Sequence, residues 1–431
     1  MKIVVISFII LSIAACQSHK VDKKTVVCIP VYGQSLALGE EAVRLTDFDT
    51  LAQYADGRIV TEQLNHDYGY FDNDPLRAFA KQLIGYQKRS FELTVYRMAQ
   101  YLADHTGKDT LICIFPGGKG ATAIKQLGKD SKPYQRFLDN IRNACEKAQR
   151  HGWRFVVPAL CWMQGESDIT DYPSTDYQLL FKQLASDFNR DIKAITGQQQ
   201  RVEFILYQAN PVSRATRFNP QSYACIESRV PTFLMEQVRD DSSCHASGPT
   251  YPYTFPREAI HIDAVGQQLN GQLAAMSALD ILRHLSHPRG LFPVATDSDD
   301  KTVHIRFQIP SPPLQFDTIQ VRKAANYGFS VITPDNRNIA QQVSLVDNQI
   351  EIRCSEVPVG AKVRYAINGQ KGKSGRLSGP RGNLRDSQGD SLSITIDNKR
   401  YPVHNWCWQF DIPIHHSQKS ANSRKLFNKE P

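Results

Sequence analysis

The sequence predicts an α/β fold, a three-layer α/β/α sandwich with a mainly parallel sheet, followed by a small all-β, sandwich-like domain. Three observations carry this. Apolar runs too continuous for a one-faced sheet recur between residues 25 and 210, helical stripes fall between them, and beyond residue 290 the texture changes to short β-rich runs separated by Pro, Asn, Asp and Gly. TVVCIPVYG (25–33), TLICIFPGG (110–118), RFVVPALCWMQG (154–165) and VEFILYQAN (202–210) read as strands buried on both faces. Phe137, Ile141, Cys145 and Ala148 mark one helical stripe. Tyr177, Leu180, Phe181, Leu184, Phe188, Ile192 and Ile195 mark a second, closed by Gly197, and Val265, Leu269, Leu273 and Met276 mark a third. In the last third TVHIRFQI, DTIQVRK, GFSVIT, QIEIRC, KVRYAI and LSITI read as strands. The expected organisation is an α/β body over 25–290, a β module over 295–413 and an aperiodic basic tail over 414–431.

A chain of 431 residues with 41% hydrophobic and 22% charged residues has ample material for a core, which excludes a mainly disordered or coiled-coil protein. The net charge of +8 sits largely at the ends. Lys2, residues 17–24 and residues 415–431 together carry six of the eight charges, and the nearly balanced body does not read as a nucleic-acid surface. The apolar run from Ile3 to Ala15 is too short to span a bilayer and suits the core of a signal peptide. It ends in Ile13-Ala14-Ala15-Cys16, which resembles the lipobox of bacterial lipoproteins. That resemblance implies a signal peptide over 1–15, a lipidated Cys16 bearing acyl chains such as palmitate, and a short tether over 16–24. Gln17, rather than Asp, then points to the outer membrane of the cell envelope. Cys28, Cys113 and Cys161 lie in apolar runs and read as packed thiols, whereas Cys225 with Cys244 and Cys354 with Cys407 are the disulfide candidates. There is no C-x-x-C, no H-E-x-x-H and no zinc spacing, so neither metal nor cofactor is expected.

The chemistry clusters at the carboxyl ends of the predicted strands, where open α/β sheets keep their sites. The first strand runs into Tyr32-Gly33-Gln34-Ser35, a tight turn that presents a hydroxyl; Ala37 breaks the G-x-S-x-G pattern of other hydrolases. The second ends in Pro116-Gly117-Gly118-Lys119-Gly120-Ala121-Thr122, whose backbone N–H groups suit an anion. A dinucleotide fingerprint there is rejected because no second strand with a terminal acid follows. The third ends in Trp162-Met163-Gln164-Gly165-Glu166-Ser167-Asp168. Near the end of the body comes Glu258-Ala259-Ile260-His261, where a carboxylate three residues before a histidine can reach Nδ1–H and leave Nε2 as a base. Asp263 is too close in sequence to orient that ring, and His245 is the rival base. His105, His151 and His284 sit in last helical turns and His304 along a strand.

Taken in order, G-Q-S, G-x-T, W-x-Q-G-E-S and x-x-x-H resemble the SGNH hydrolases, and specifically the sialate O-acetylesterase-like carbohydrate esterases, over roughly residues 25–285. The resemblance implies Ser35 as nucleophile, His261 as general base, and Ser35 N–H, Gly120 N–H and the Gln164 side chain as the oxyanion hole. It implies Glu258 as the acid, where the family has Asp, with Glu166 as the alternative orienting carboxylate or a brace for its block; Ala121 replaces the second Gly of the family's G-G-T turn. The expected activity is removal of O-acetyl groups from an acetylated carbohydrate through an acyl-Ser35 intermediate, with no cofactor. A short-chain lipase or thioesterase of the same fold, a carbohydrate O-acetyltransferase and a non-catalytic glycan-binding lipoprotein are the alternatives. In the β module, Val363-Arg364-Tyr365-Ala366 and Gly382-Asn383-Leu384-Arg385-Asp386-Ser387 resemble the closing β region of some sialate O-acetylesterases. It reads either as a packed lid or as a glycan platform, with Trp406 and Trp408 on one strand face and Arg381 and Arg385 beside an acidic sugar.

Overall fold

The computed structural model describes residues 24–61, 77–78, 91–170, 176–210, 228–257, 260–370 and 372–416. Among the described residues the α/β body holds ten strands: β1 (Thr25–Cys28), β2 (Val31–Gly33), β3 (Ile59–Thr61), β4 (Arg77–Ala78), β5 (Thr110–Cys113), β6 (Pro116–Gly118), β7 (Arg154–Val156), β8 (Ala159–Met163), β9 (Glu203–Gln208) and β10 (Cys244–Pro249). Three of the predicted long strands are each interrupted once. In the first and third the break holds Pro30 or Pro158, which cannot donate to a ladder. The sheet bridges the breaks: Ile29 N donates to Cys113 O at 3.0 Å, Val31 N to Phe115 O at 3.0 Å and Cys161 N to Pro30 O at 2.9 Å. The order is therefore β3, β5–β6, β1–β2, β7–β8, β9, β10, all parallel, with β4 antiparallel on the β3 edge.

Helices Thr94–His105 and Ala264–Arg283 pack on each other over one face. Helices Lys132–Arg150, Tyr177–Thr196 and Val230–Asp240 cover the other. The stripe residues Phe137, Ile141, Cys145 and Ala148 are buried, as are Phe181, Leu184, Phe188 and Ile192, and Gly197 ends its helix at φ 71°. A parallel sheet covered on both faces explains why its strands lack alternation.

The C-terminal region is antiparallel for the most part. Strands β11 (Phe292–Asp299) and β12 (Thr302–Gln308) pair with each other, and β12 leads on to Gln349–Cys354 and Ala340–Val346. A second sheet joins Phe329–Ile332, Lys362–Tyr365 and Phe410–Pro413. DTIQVRK is not a strand. The Asp317 carboxylate accepts from Ile319 N at 2.9 Å and Gln320 N at 2.8 Å, an Asx turn that outcompetes the ladder and leaves Ile319 95% exposed.

The glycan-platform reading of the β module does not match the structure. Trp408 is fully buried and Trp406 nearly so, because they pack where the module meets the body rather than on an open strand face. Arg385 is likewise committed, its guanidinium bound to Asp317 at 2.9 Å and Asp390 at 3.1 Å. Arg381 spends its donors on the carbonyls of Arg322, Gly379 and Lys323. The Cys354–Cys407 disulfide is absent, both residues being buried thiols; Cys244 is a buried thiol too, and Cys225 lies outside the described residues. Cys16 and the signal segment lie outside them as well. No helix among the described residues is long and apolar enough to cross a membrane.

Candidate active site

The site is built where β2, β6 and β8 end side by side. Gly33 is required there because a Cβ would lie 2.0 Å from Met163 O, and Gly118, at φ 114°, because a Cβ would lie 1.8 Å from Gly33 O. Gln34 N donates to Met163 O and Lys119 N to Gly33 O, which fixes both turns to the sheet. Immediately after Gln34 the chain coils, with Ala37 N on Gln34 O, Leu38 N and Glu40 N on Ser35 O, and Gly39 N on Leu36 O. Ser35 thus sits on a rigid element, 3% exposed.

Its partner arrives from the far end of the body. Ile262 is buried in the core and the Asp263 carboxylate caps the next helix through Gly266 N at 2.7 Å, so His261 is held by the residues that follow it. His261 Nε2 lies 2.7 Å from Ser35 Oγ across 226 residues of sequence. His261 Nδ1 lies 3.1 Å from Glu41 Oε2, a residue that sequence reasoning did not single out. The expected acid, Glu258, falls outside the described residues. Glu40 stands at the mouth, 48% exposed, its Oε2 4.0 Å from His261 Nε2.

The Gly120 turn closes the other side. A Cβ placed on Gly120 would meet Ser35 Cβ at 3.8 Å, so this turn abuts the hydroxyl. Among the described residues neither Ser35 N–H nor Gly120 N–H has a protein acceptor. Gln164 departs from its expected place as a third donor. Its Nε2 donates to Thr122 O at 3.2 Å and to Asp168 Oδ2, which also accepts from Ile124 N at 2.9 Å. One amide hydrogen is spent on the turn that carries Gly120 and the other on Asp168, which holds the end of that turn through Ile124 N, so Gln164 and Asp168 together brace the Gly120 turn. Ala121, where the resemblance expects Gly, adopts φ 52°.

Glu166 is a brace and not an acid for His261. It is fully buried, Tyr207 donates its hydroxyl to Oε1 at 2.6 Å, and burial lifts its carboxyl to about 7 against the opposing pull of that hydrogen bond. His245 is removed as a rival base, because its Nε2 is bound to the Glu203 carboxylate. No group of three or more His, Cys, Asp or Glu converges as a metal site among the described residues.

A serine hydroxyl in contact with an imidazole, beside a turn with unpaired backbone N–H groups, is an arrangement that can support acyl transfer. Residues 32–227 match the family profile for carbohydrate esterase, sialic acid-specific acetylesterase, the family the four sequence blocks resemble. Among solved structures the chain is similar to a carbohydrate acetylesterase from Xanthomonas citri, at 15% identity over 84% of this chain and 79% of that one, with a TM-score of 0.57. That likeness shows the fold, a parallel α/β core of SGNH type with antiparallel β sheets after it. A protein from Arabidopsis thaliana (15% identity, 60% of this chain and 98% of that one, TM-score 0.40) and NanS (14%, 61% and 98%, 0.41) are also similar. No curated protein matches the chain.

Proposed function

With residues 32–227 matching a carbohydrate-esterase family, we propose that the protein is a serine esterase that removes O-acetyl groups from an acetylated carbohydrate. The observation that carries the reading is the 2.7 Å contact of Ser35 Oγ with His261 Nε2, beside the turn that carries Gly120. His261 takes the Ser35 proton as Oγ attacks the acetyl carbonyl, and the tetrahedral oxyanion is held by the two N–H groups. The same imidazolium then protonates the departing sugar oxygen, and water repeats the sequence to free acetate and Ser35. The mouth residues Glu40, Lys119 and Arg257 are polar, which favours a short acyl group over a lipid chain. Attachment to the cell envelope through lipidated Cys16 is part of the proposal, checked by whether Cys16→Ser protein leaves the membrane fraction.

The substrate class is tested with p-nitrophenyl esters of increasing chain length, with and without a sugar acceptor. Turnover should be highest for acetate, fall at least tenfold by octanoate, and release free acetate whether or not sugar is present. Preference for octanoate would favour a lipase or thioesterase, and acetyl appearing on the sugar in place of free acetate would favour a transferase.

A further inference from the structure

We infer that Glu41, the sixth residue after the nucleophile, is the positioning residue that orients His261 for acyl transfer. The inference rests on the esterase reading for its kinetic test only, since the contact itself is a property of the folded chain. Three independent observations converge on this side chain. Its two oxygens are divided between two cations or donors: Oε2 lies 3.1 Å from His261 Nδ1 and Oε1 3.0 Å from the Arg257 guanidinium. His261 is 16% and Glu41 27% exposed, so the contact is partly shielded from water, where a charge contact is worth more than at an open surface.

The backbone is also arranged for it. Glu41 adopts φ 67°, in the left-handed region that side chains other than Gly, Asn and Asp rarely enter. Such a conformation persists where surrounding structure fixes it, and here it is fixed on both sides. On one side Gly39 turns at φ 67° with no room for a Cβ, which would lie 2.2 Å from Glu92 O. On the other, Glu92 N donates to Ala42 O at 3.0 Å. The buried Glu92 carboxylate then collects Leu45 N and Thr46 N at 2.8 Å each, and the Gln268 amide at 2.9 Å. The loop after the nucleophile is thereby clamped to helix Ala264–Arg283, the helix that His261 introduces. Nucleophile and orienting carboxylate come from one clamped turn, and the base is inserted between them.

Among the described residues, the charged groups facing His261 are Glu41 at Nδ1 and Glu40 at 4.0 Å from Nε2, with Arg257 acting through Glu41. Glu40 lies on the Ser35 side of the ring, where a carboxylate cannot fix the tautomer that leaves Nε2 free to accept. Glu41 stands at Nδ1, where its carboxylate favours the tautomer protonated on that nitrogen and faces the imidazolium formed when Ser35 gives up its proton.

The test compares Glu41→Gln, Glu41→Asp and Glu41→Ala in the full chain, with thermal unfolding confirming the fold. Glu41→Gln should lower kcat on p-nitrophenyl acetate about a hundredfold or more with KM changed no more than about twofold. Glu41→Asp should recover part of the loss. Independently of turnover, the low-field proton resonance of His261 Nδ1–H should be present in the wild type and lost in Glu41→Ala. An inactive wild type that still shows this resonance, lost on Glu41→Ala, would sink the esterase reading and leave the orienting contact standing. A Glu41→Gln enzyme with kcat within a fewfold of wild type would overturn the inference. So would a resonance that survives Glu41→Ala and disappears in Glu258→Ala.

Discussion

At the scale of single residues, the site separates groups that react from groups that hold them. Glu166 illustrates the second kind: a fully buried carboxyl that titrates near neutrality, with the Tyr207 hydroxyl as its partner. Its folded value lies above the usual carboxylate range, so the folded state binds the extra proton between pH 4.5 and 7. Stability from this group is accordingly greatest at the acid end and falls as pH rises to about 7, then levels. Thermal unfolding of wild type between pH 5 and 8 should show that decline, and Glu166→Gln, which keeps an acceptor for Tyr207, should flatten it. Parallel curves for the two proteins would mean that Glu166 is not the group responsible. Ser35, Gly120 and His261 were legible in the sequence because each follows a strand or precedes a helix that pattern alone locates. Glu41 was not, since linear spacing ties an acid to the histidine's own segment, whereas the contact depends on a coil after Ser35 closing over a residue 220 positions away. Gln164 was located correctly in its block, but its hydrogen-bond partners, Thr122 O and Asp168, depend on two loops meeting in space.

At the scale of elements, the turn that carries Gly120 bears a cost. Ala121 at φ 52° places a Cβ in the left-handed region, an arrangement that costs about 1–2 kcal/mol relative to a residue at ease there. Glycine relieves that strain but adds freedom to the unfolded chain, worth about 0.4–1 kcal/mol in the opposite direction. Ala121→Gly should therefore leave stability unchanged or raise it by up to about 1.6 kcal/mol in denaturant unfolding, where an ordinary Ala→Gly change lowers it. A loss beyond 1 kcal/mol would show that the Cβ packs productively. The strands of the parallel sheet were readable because burial on both faces writes itself as unbroken hydrophobicity. DTIQVRK misled for a local reason: it has the alternation of a strand, but Asp317 at its head offers the backbone a better partner than a neighbouring strand does. Trp406 and Trp408 alternate as a platform would, and alternation says nothing about which face meets another domain.

At the scale of the molecule, the β module is fastened to the body beside the site. Gln208, at the end of β9, exchanges two hydrogen bonds with the Gln409 backbone, at 2.7 and 2.8 Å, and Tyr251 donates to Cys407 O at 2.9 Å. Gly375 packs against Phe255 and Tyr253 O, on the segment that leads into Arg257 and His261. The packed lid is the arrangement this burial fits, with the module packed on the segment that leads to His261. All of this converges on one hydroxyl. The direct measurement is the mass of the protein quenched in acid during turnover of p-nitrophenyl acetate, followed by peptide mapping. The account predicts an added acetyl group on the peptide containing Ser35, absent from Ser35→Ala protein of unchanged thermal stability, and accumulating in a His261→Ala protein only at a rate lowered by orders of magnitude. Acetate release by folded Ser35→Ala protein at the wild-type rate, or an acetyl group mapped to another residue, would contradict it.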